Sequence, residues 1–269
     1  MRKWLIVVAV LLWGGSLPAQ EKVVIGGSGA LLNLMPQLVQ GYQARYPSDS
    51  VEIVKYSMST TGGIEGTKIG RFNIGLVSLK PADQEKGNLV YRVIARAPVV
   101  VAVNKSITLS NLTEAEVCSL FSGKVKSWKE LGGPEQKIQV LGRVRDDANM
   151  EAMRKQMACF ASVNLPPDAV LLNRGNEVDQ ALSHRAGTVA VTDLESAMRG
   201  RESFKALSID GVSPMAEPTA SARYPYSREF GVVTAGEPQA TVKRFLDFLG
   251  GPESQKVFAQ SGVLVARTK

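Results

Sequence analysis

In the stretch LGRVRDDANMEAMRKQ, residues 141–156, Arg143 and Arg145 precede Asp147, Ala148, Asn149 and a run of strong helix formers. Arginine presents a rigid fork of N–H donors that suits an oxyanion. The two arginines alternate in an extended segment, so they point to opposite sides, and Arg143 is the one assigned to an anion. Asp147 stands where a helix cap is wanted, with the helix body starting at about Ala148 and Asn149 in its first turn. Two further junctions offer related chemistry. In SMSTTGGIEG, residues 57–66, Ser59, Thr60 and Thr61 gather three hydroxyls before a Gly-Gly turn, each free to cap a helix or to face a ligand. In GGSGALLN, residues 26–33, glycines allow a tight turn, Ser28 offers a hydroxyl and the helix that follows offers unpaired N–H groups. Plain loop geometry accounts for the last motif equally well.

Catalysis finds little to work with. The one histidine, His184 in ALSHRAG, has no partner that the sequence places near it and reads as an ordinary surface or packing residue. G-x-S-x-G, H-E-x-x-H and Walker patterns are all missing, and nothing fixes the separation of carboxylates such as Asp83, Asp179 and Asp193. Neither a catalytic group nor a cofactor is therefore assigned. Two cysteines, Cys118 and Cys159, with a single distant histidine fall short of a zinc site. In an exported chain the pair reads first as a disulfide closing a loop of about 40 residues, worth roughly 4 kcal/mol on the chain-entropy account. Binding demands less than catalysis: hydroxyls, helix-end N–H groups and one arginine suffice to hold a dehydrated anion.

These residues must be positioned by alternating strands and helices. KVVIGG, SVEIVKYS and FNIGLVS read as strands, LNLMPQLVQGYQARY as a helix, and IEGTKIG as a short helix after the turn residues MSTTGG. YRVIARAPVVVAVNKS is the longest β-branched run, with Pro98 expected at its entry and not in a central ladder position. Thr113 and Glu116 have capping-box spacing, KIQVLGR is a strand, and NMEAMRKQMACFAS is a helix. AVLLNRGNEVDQALSHRAGTVAVTDLESAM then contributes a strand or loop, a helix and another strand, and REFGVVTAG a further strand. ATVKRFLDFLGGPESQKVFAQSG gives two helical stretches broken at residues 250–252. Strands separated by helices predict an α/β fold with parallel pairing.

The N-terminal MRKWLIVVAVLLWGGSLPAQEK has two positive charges, an apolar run from Trp4 to Trp13 and a small, polar end near Ala19, the layout of a cleaved secretory signal. Residues 1–20 are expected to be that signal. The run is too short for the about 20 residues that span hydrocarbon, so stable membrane insertion is not expected, and no cysteine follows it to carry a lipid. The mature chain is expected free in the periplasm or outside the cell. About 250 residues remain, enough for two lobes. Crossings between them are placed near residues 103–106 and 221–226, giving a first lobe over 21–103, a second over 104–222 and a return segment over 223–269. The formal charge of +7, less Arg2 and Lys3, leaves +5; that mildly basic balance favours small anions and, with Lys and Arg scattered, supports no nucleic-acid partner.

Taken in order, GGSGA (26–30), STTGGIEG (59–66), NIGLVS (73–78), LTEAEVCSLFSGKVKSWKELGG (112–133), IQVLGR (138–143), YPYSREFGVVTAG and VKRFLDFLGGPESQKVFAQSGVLV resemble the phosphate-binding component of bacterial phosphate ABC transporters, within the periplasmic-binding-protein-like superfamily. The resemblance covers most of the mature chain. It implies a type II fold of two α/β lobes, hinge closure over a cleft, inorganic phosphate or a related oxyanion as ligand, and an ABC permease as partner. A monomer is expected, and nothing such as a heptad pattern argues against it, although the sequence leaves the oligomeric state open. Carried over by position, the family's first contacts fall on Ala30, Leu31 and Leu32, with Leu31 replacing a threonine and backbone N–H groups left to serve. Its second-junction serine falls on Thr60, an aspartate of some members on Ser78, and its arginine on Arg143. Where the family has Ser-Gly-Thr, this chain has Asp147, Ala148 and Asn149. A carboxylate in a phosphate pocket needs a compensating arginine, for which Arg145 and Arg154 are the sequence candidates; alternatively Asp147 turns back to cap its helix. That substituted start also leaves open a same-fold sensor or adaptor domain for another ligand or a protein partner.

Overall fold

The computed structural model describes residues 22–144, 147–216 and 219–265. The expected signal, residues 1–20, and Arg145 lie outside them. Strands are β1 (Lys22–Gly27), β2 (Ser50–Ile53), β3 (Ile74–Val77), β4 (Leu89–Asn104), β5 (Asn111–Leu112), β6 (Gln139–Arg143), β7 (Val170–Leu172), β8 (Thr188–Asp193), β9 (Phe204–Ala206), β10 (Ser208–Ile209), β11 (Met215–Ala216), β12 (Thr219–Ala220), β13 (Ser227–Ala235) and β14 (Leu264–Val265). Helices are α1 (Gly29–Leu32), α2 (Met35–Arg45), α3 (Ser59–Lys68), α4 (Asp83–Lys86), α5 (Glu114–Phe121), α6 (Ala148–Gln156), α7 (Gly175–His184), α8 (Leu194–Arg199), α9 (Ala240–Leu249) and α10 (Pro252–Gln260).

The main sheet runs β2-β1-β3-β13-β4-β8-β6-β7, with β9 and β14 also on β4. β1 pairs in parallel with β2 and β3, and β6 in parallel with β7 and β8, as the intervening helices require. Among the described residues two large apolar cores form, beside a small cluster of Ile64, Val77, Leu89 and Val233. One gathers Ile25, Leu38, Tyr42, Ala97 and Phe245; the other gathers Val99, Phe121, Trp128, Phe160 and Tyr226.

β4 joins them. It pairs antiparallel with β13 as far as Pro98 and with β8 from Val99 onward. Pro98 is thus mid-strand and not at its entry, because the missing N–H falls where the ladder changes partner and no bond is forfeited. The return passes beside it: Val99 N–H donates to Tyr226 O at 3.0 Å.

Local chemistry fixes the parts that carry the site. Gly27, at φ +131°, faces Gly63 so closely that a Cβ on Gly27 would lie 2.4 Å from Leu76 O and one on Gly63 equally close. Glycine at both positions lets α3 approach β1 and β3. α3 begins at Ser59, earlier than the expected IEGTKIG, so Ser59, Thr60 and Thr61 form its first turn. α5 has its capping box: Glu116 N–H donates to Thr113 Oγ1 at 3.2 Å and Thr113 N–H to Glu116 Oε2 at 2.7 Å. The Cys118–Cys159 disulfide, Cα to Cα 6.1 Å, ties α5 to the 3-10 turn that follows α6. Gln156, the last residue of α6, donates from Nε2 to Ser227 O at 2.6 Å and accepts from Ser227 N–H at 3.0 Å. Among the described residues no helix is long and apolar enough to cross a membrane.

Candidate anion-binding site

The ends of β1, β3, β6 and β8, the starts of α3, α6, α7 and α8, and the base of β13 surround a cleft of about 920 Å³. Ala30, Ser59, Thr60, Thr61, Ser78, Arg143, Asp147, Ala148 and Asn149 all line it. The sheet thus brings together residues that the sequence spreads over 120 positions.

At the first junction Gly29 N–H donates to Ser57 Oγ at 3.0 Å, and the N–H groups of Leu31 and Leu32 both go to Ser28 O at 3.2 Å. The Leu31 side chain is fully buried in the core and Leu32 packs against it. Of the three expected contacts Ala30 lines the cleft, whereas the N–H groups of Leu31 and Leu32 bond within the turn and their side chains pack in the core.

The second junction is richer. The cap position of α3 is Met58, which supplies no side-chain bond, so the helix start presents orphan N–H groups. Ser59 sits in the left-handed region at φ 62°, a conformation costing a non-glycine residue roughly 1 kcal/mol or more and concentrated at functional sites. Thr60 Oγ1 accepts from Ser78 N–H at 3.1 Å and lies 3.3 Å from Ser78 Oγ, so the two hydroxyls form one pair. An uncapped terminus with hydroxyls beside it is suited to negative charge.

At the third junction Asp147 turns back. Its Oδ1 accepts from Asn149 N–H at 2.9 Å and Met150 N–H at 3.4 Å. The Asn149 N–H is therefore taken, while its side-chain Oδ1 is buried without a partner among the described residues. Arg143 Nη2 donates to Asn173 O at 3.2 Å, and its buried Nε–H likewise finds no acceptor. Burial pushes the Asp147 carboxyl above the ordinary aspartate range, opposed by its two cap bonds and by the charges of Arg143 and Arg228.

Arg228 was not among the expected compensators. Arg154 is turned elsewhere, donating to Val163 O at 3.4 Å. Arg228 lines the cleft from β13, is 5% exposed, and pairs with Asp193 at 3.1 Å. The only local signal is a pair of charges, Arg228 and Glu229, near the start of a mostly apolar strand. Asp179, Glu195 and Arg199 also reach the cleft, Arg199 pairing with both acids. Burial raises both carboxyls above their ordinary range. Among the described residues no group of three or more His, Cys, Asp or Glu is placed to hold a metal ion.

A family model described as the PBP superfamily domain matches residues 15–253. The phosphate-binding protein PstS of Bacillus subtilis is 26% identical over 250 residues, covering 90% of this chain and 79% of that protein. PstS of Borreliella burgdorferi is 22% identical over 258 residues, covering 92% and 91%. Among solved structures, a phosphate ABC transporter substrate-binding protein with bound phosphate from Clostridium perfringens superposes with a TM-score of 0.79 at 22% identity, over 92% of this chain and all of that one. The regulatory domain of Synechocystis PCC6803 CcmR in complex with 2-PG shares the fold at a TM-score of 0.60 and 15% identity, over 85% and 95%. The α/β architecture with its cleft between two packed cores, and the match along most of the sequence, lead to one assignment: the chain belongs to the PBP superfamily.

Proposed function

We propose that this chain is a periplasmic solute-binding protein that captures inorganic phosphate, non-covalently and as a monomer, and delivers it to an ABC-type permease. One observation carries the reading: the uncapped start of α3, the Thr60 and Ser78 hydroxyls and the unspent donors of Arg143 converge on one cleft while Asp147 is engaged with its own helix. Closure of the cores over the ligand would replace its water with fixed donors. The lobes we propose meet at Pro98/Val99 and at Tyr226/Ser227, the first a few residues before the boundary expected from sequence, and residues 1–20 direct export and are then cleaved off. The names of the PstS relatives support phosphate as the solute.

Calorimetry with phosphate, arsenate and sulfate on protein stripped of bound ligand, over about pH 5 to 8, tests it. Absence of phosphate binding throughout refutes it. The half-buried carboxylates Asp147, Asp179 and Glu195 in the same cleft favour a second reading, a same-fold sensor or adaptor for a different ligand. Failure with all three oxyanions selects that reading.

A further inference from the structure

Arg228 offers more donors than Asp193 takes up. Its guanidinium carries five N–H donors in a planar fork. Nη2 donates to Asp193 Oδ2 at 3.1 Å, the ring of Phe230 lies 4.7 Å below its centre, and Nε–H is buried with no acceptor among the described residues. Stacking occupies a face of the plane and leaves the in-plane donors free for an oxygen ligand. Nor does Asp193 give Arg228 its whole charge: its Oδ1 caps α8 by accepting from Ser196 N–H at 2.9 Å. A buried cation with surplus donors and a shared counter-ion is costly on its own and becomes favourable beside an anion. The cleft is where that anion comes, and Arg228 lines it together with Arg143. Both arginines act electrostatically on Asp147, which places all three charges in one field.

We infer that Arg228 is a second ligand-binding arginine, donating to the oxyanion and supplying the positive charge that selects its dianionic form. The inference rests on the phosphate reading above. Because Arg228 follows Ser227 on the crossing strand, the anion is then held directly by the segment that joins the two cores.

Phosphate titrations of the wild type, Arg228→Gln, Arg228→Lys and the double variant Arg228→Gln/Asp193→Asn, at about pH 6 and about pH 8, decide the matter. Arg228→Gln is expected to weaken binding about 10- to 100-fold, the loss of hydrogen bonds to a charged group. The loss is larger at the higher pH, where more phosphate is dianionic, and Lys restores part of it. The double variant removes the stranded Asp193 charge, so it recovers the melting temperature without the affinity; recovery of both would mean that Arg228 is structural and would overturn the inference. It also serves if Arg228→Gln alone does not fold. In the wild type the Arg228 Nε–H resonance, identified by its absence from Arg228→Lys, moves on addition of phosphate; a stationary resonance overturns the inference too. Wild-type binding with unchanged affinity in the variants sinks this inference alone, whereas a wild type that ignores phosphate sinks the phosphate reading along with it.

Discussion

Exchanging Asp147 for Asn separates the two things a carboxylate can do at the start of α6. Asn caps a helix about as well as Asp, so the bonds to Asn149 and Met150 N–H survive while the charge goes. Burial raises the folded-state pKa of Asp147 above its unfolded value, so the folded protein binds the extra proton, and the stability this contributes is lost as pH rises through the folded pKa. Asp147→Asn should therefore match the wild type below about pH 4 and exceed it in stability near pH 8. Asp147→Ala forfeits the cap and should cost about 1 kcal/mol, a fall in Tm of roughly 2–4 °C for a chain of this size. For binding, if the anion sits about 8 Å from the carboxylate at an effective dielectric of about 20, the repulsion is about 2 kcal/mol per ligand charge, so Asn should tighten a monoanion by up to roughly 30-fold and a dianion, near pH 8, by up to roughly 1000-fold. Calorimetry and thermal melts on the three proteins read both quantities. A tenfold or greater loss of phosphate affinity in Asp147→Asn at both ends of the pH range would refute the cap assignment, since it would mean the carboxylate accepts a proton from the ligand.

Arg143→Ala is expected to weaken phosphate about 10- to 100-fold by calorimetry and Arg145→Ala only mildly; equal losses would show that the wrong arginine had been assigned to the cleft. Thr60→Val removes the acceptor for the buried Ser78 N–H and should cost about 1–3 kcal/mol in urea unfolding, with a several-fold loss of phosphate affinity in calorimetry. Reducing the Cys118–Cys159 bridge, which spans 41 residues, should remove about 4 kcal/mol and lower Tm by roughly 10 °C, as thermal melts with and without reductant would show.

Features set by near neighbours in the chain were the legible ones. KVVIGG gave β1 with its bounds, Thr113 and Glu116 their capping box, and Asp147 its cap, because each depends on residues within a turn or a strand. The disulfide pairing was legible from two cysteines in a chain expected to be exported. What escaped was set by distant contacts. Pro98 could be placed mid-strand only by knowing that β13 and β8 divide β4 between them. The core packing of Leu31 and Leu32 follows from their apolar character, which position in a family pattern does not express. Arg228 is invisible as a cleft residue until β13 lies beside β4 and Asp193 ends β8, an arrangement spanning 35 positions of sequence.

Helix α6 has a consequence of its own. Its nine residues make a rod about 13 Å long, with the Asp147 cap at the cleft and Gln156 at the far end. A primary amide matches a peptide group donor for acceptor, so Gln156 grips Ser227 as a neighbouring strand would, in one orientation only. Just beyond it the disulfide anchors the chain to α5, leaving the trailing end little slack. One short helix therefore touches the site at its first residue and the strand that joins the two cores at its last, so the cleft and the crossing are one helix length apart.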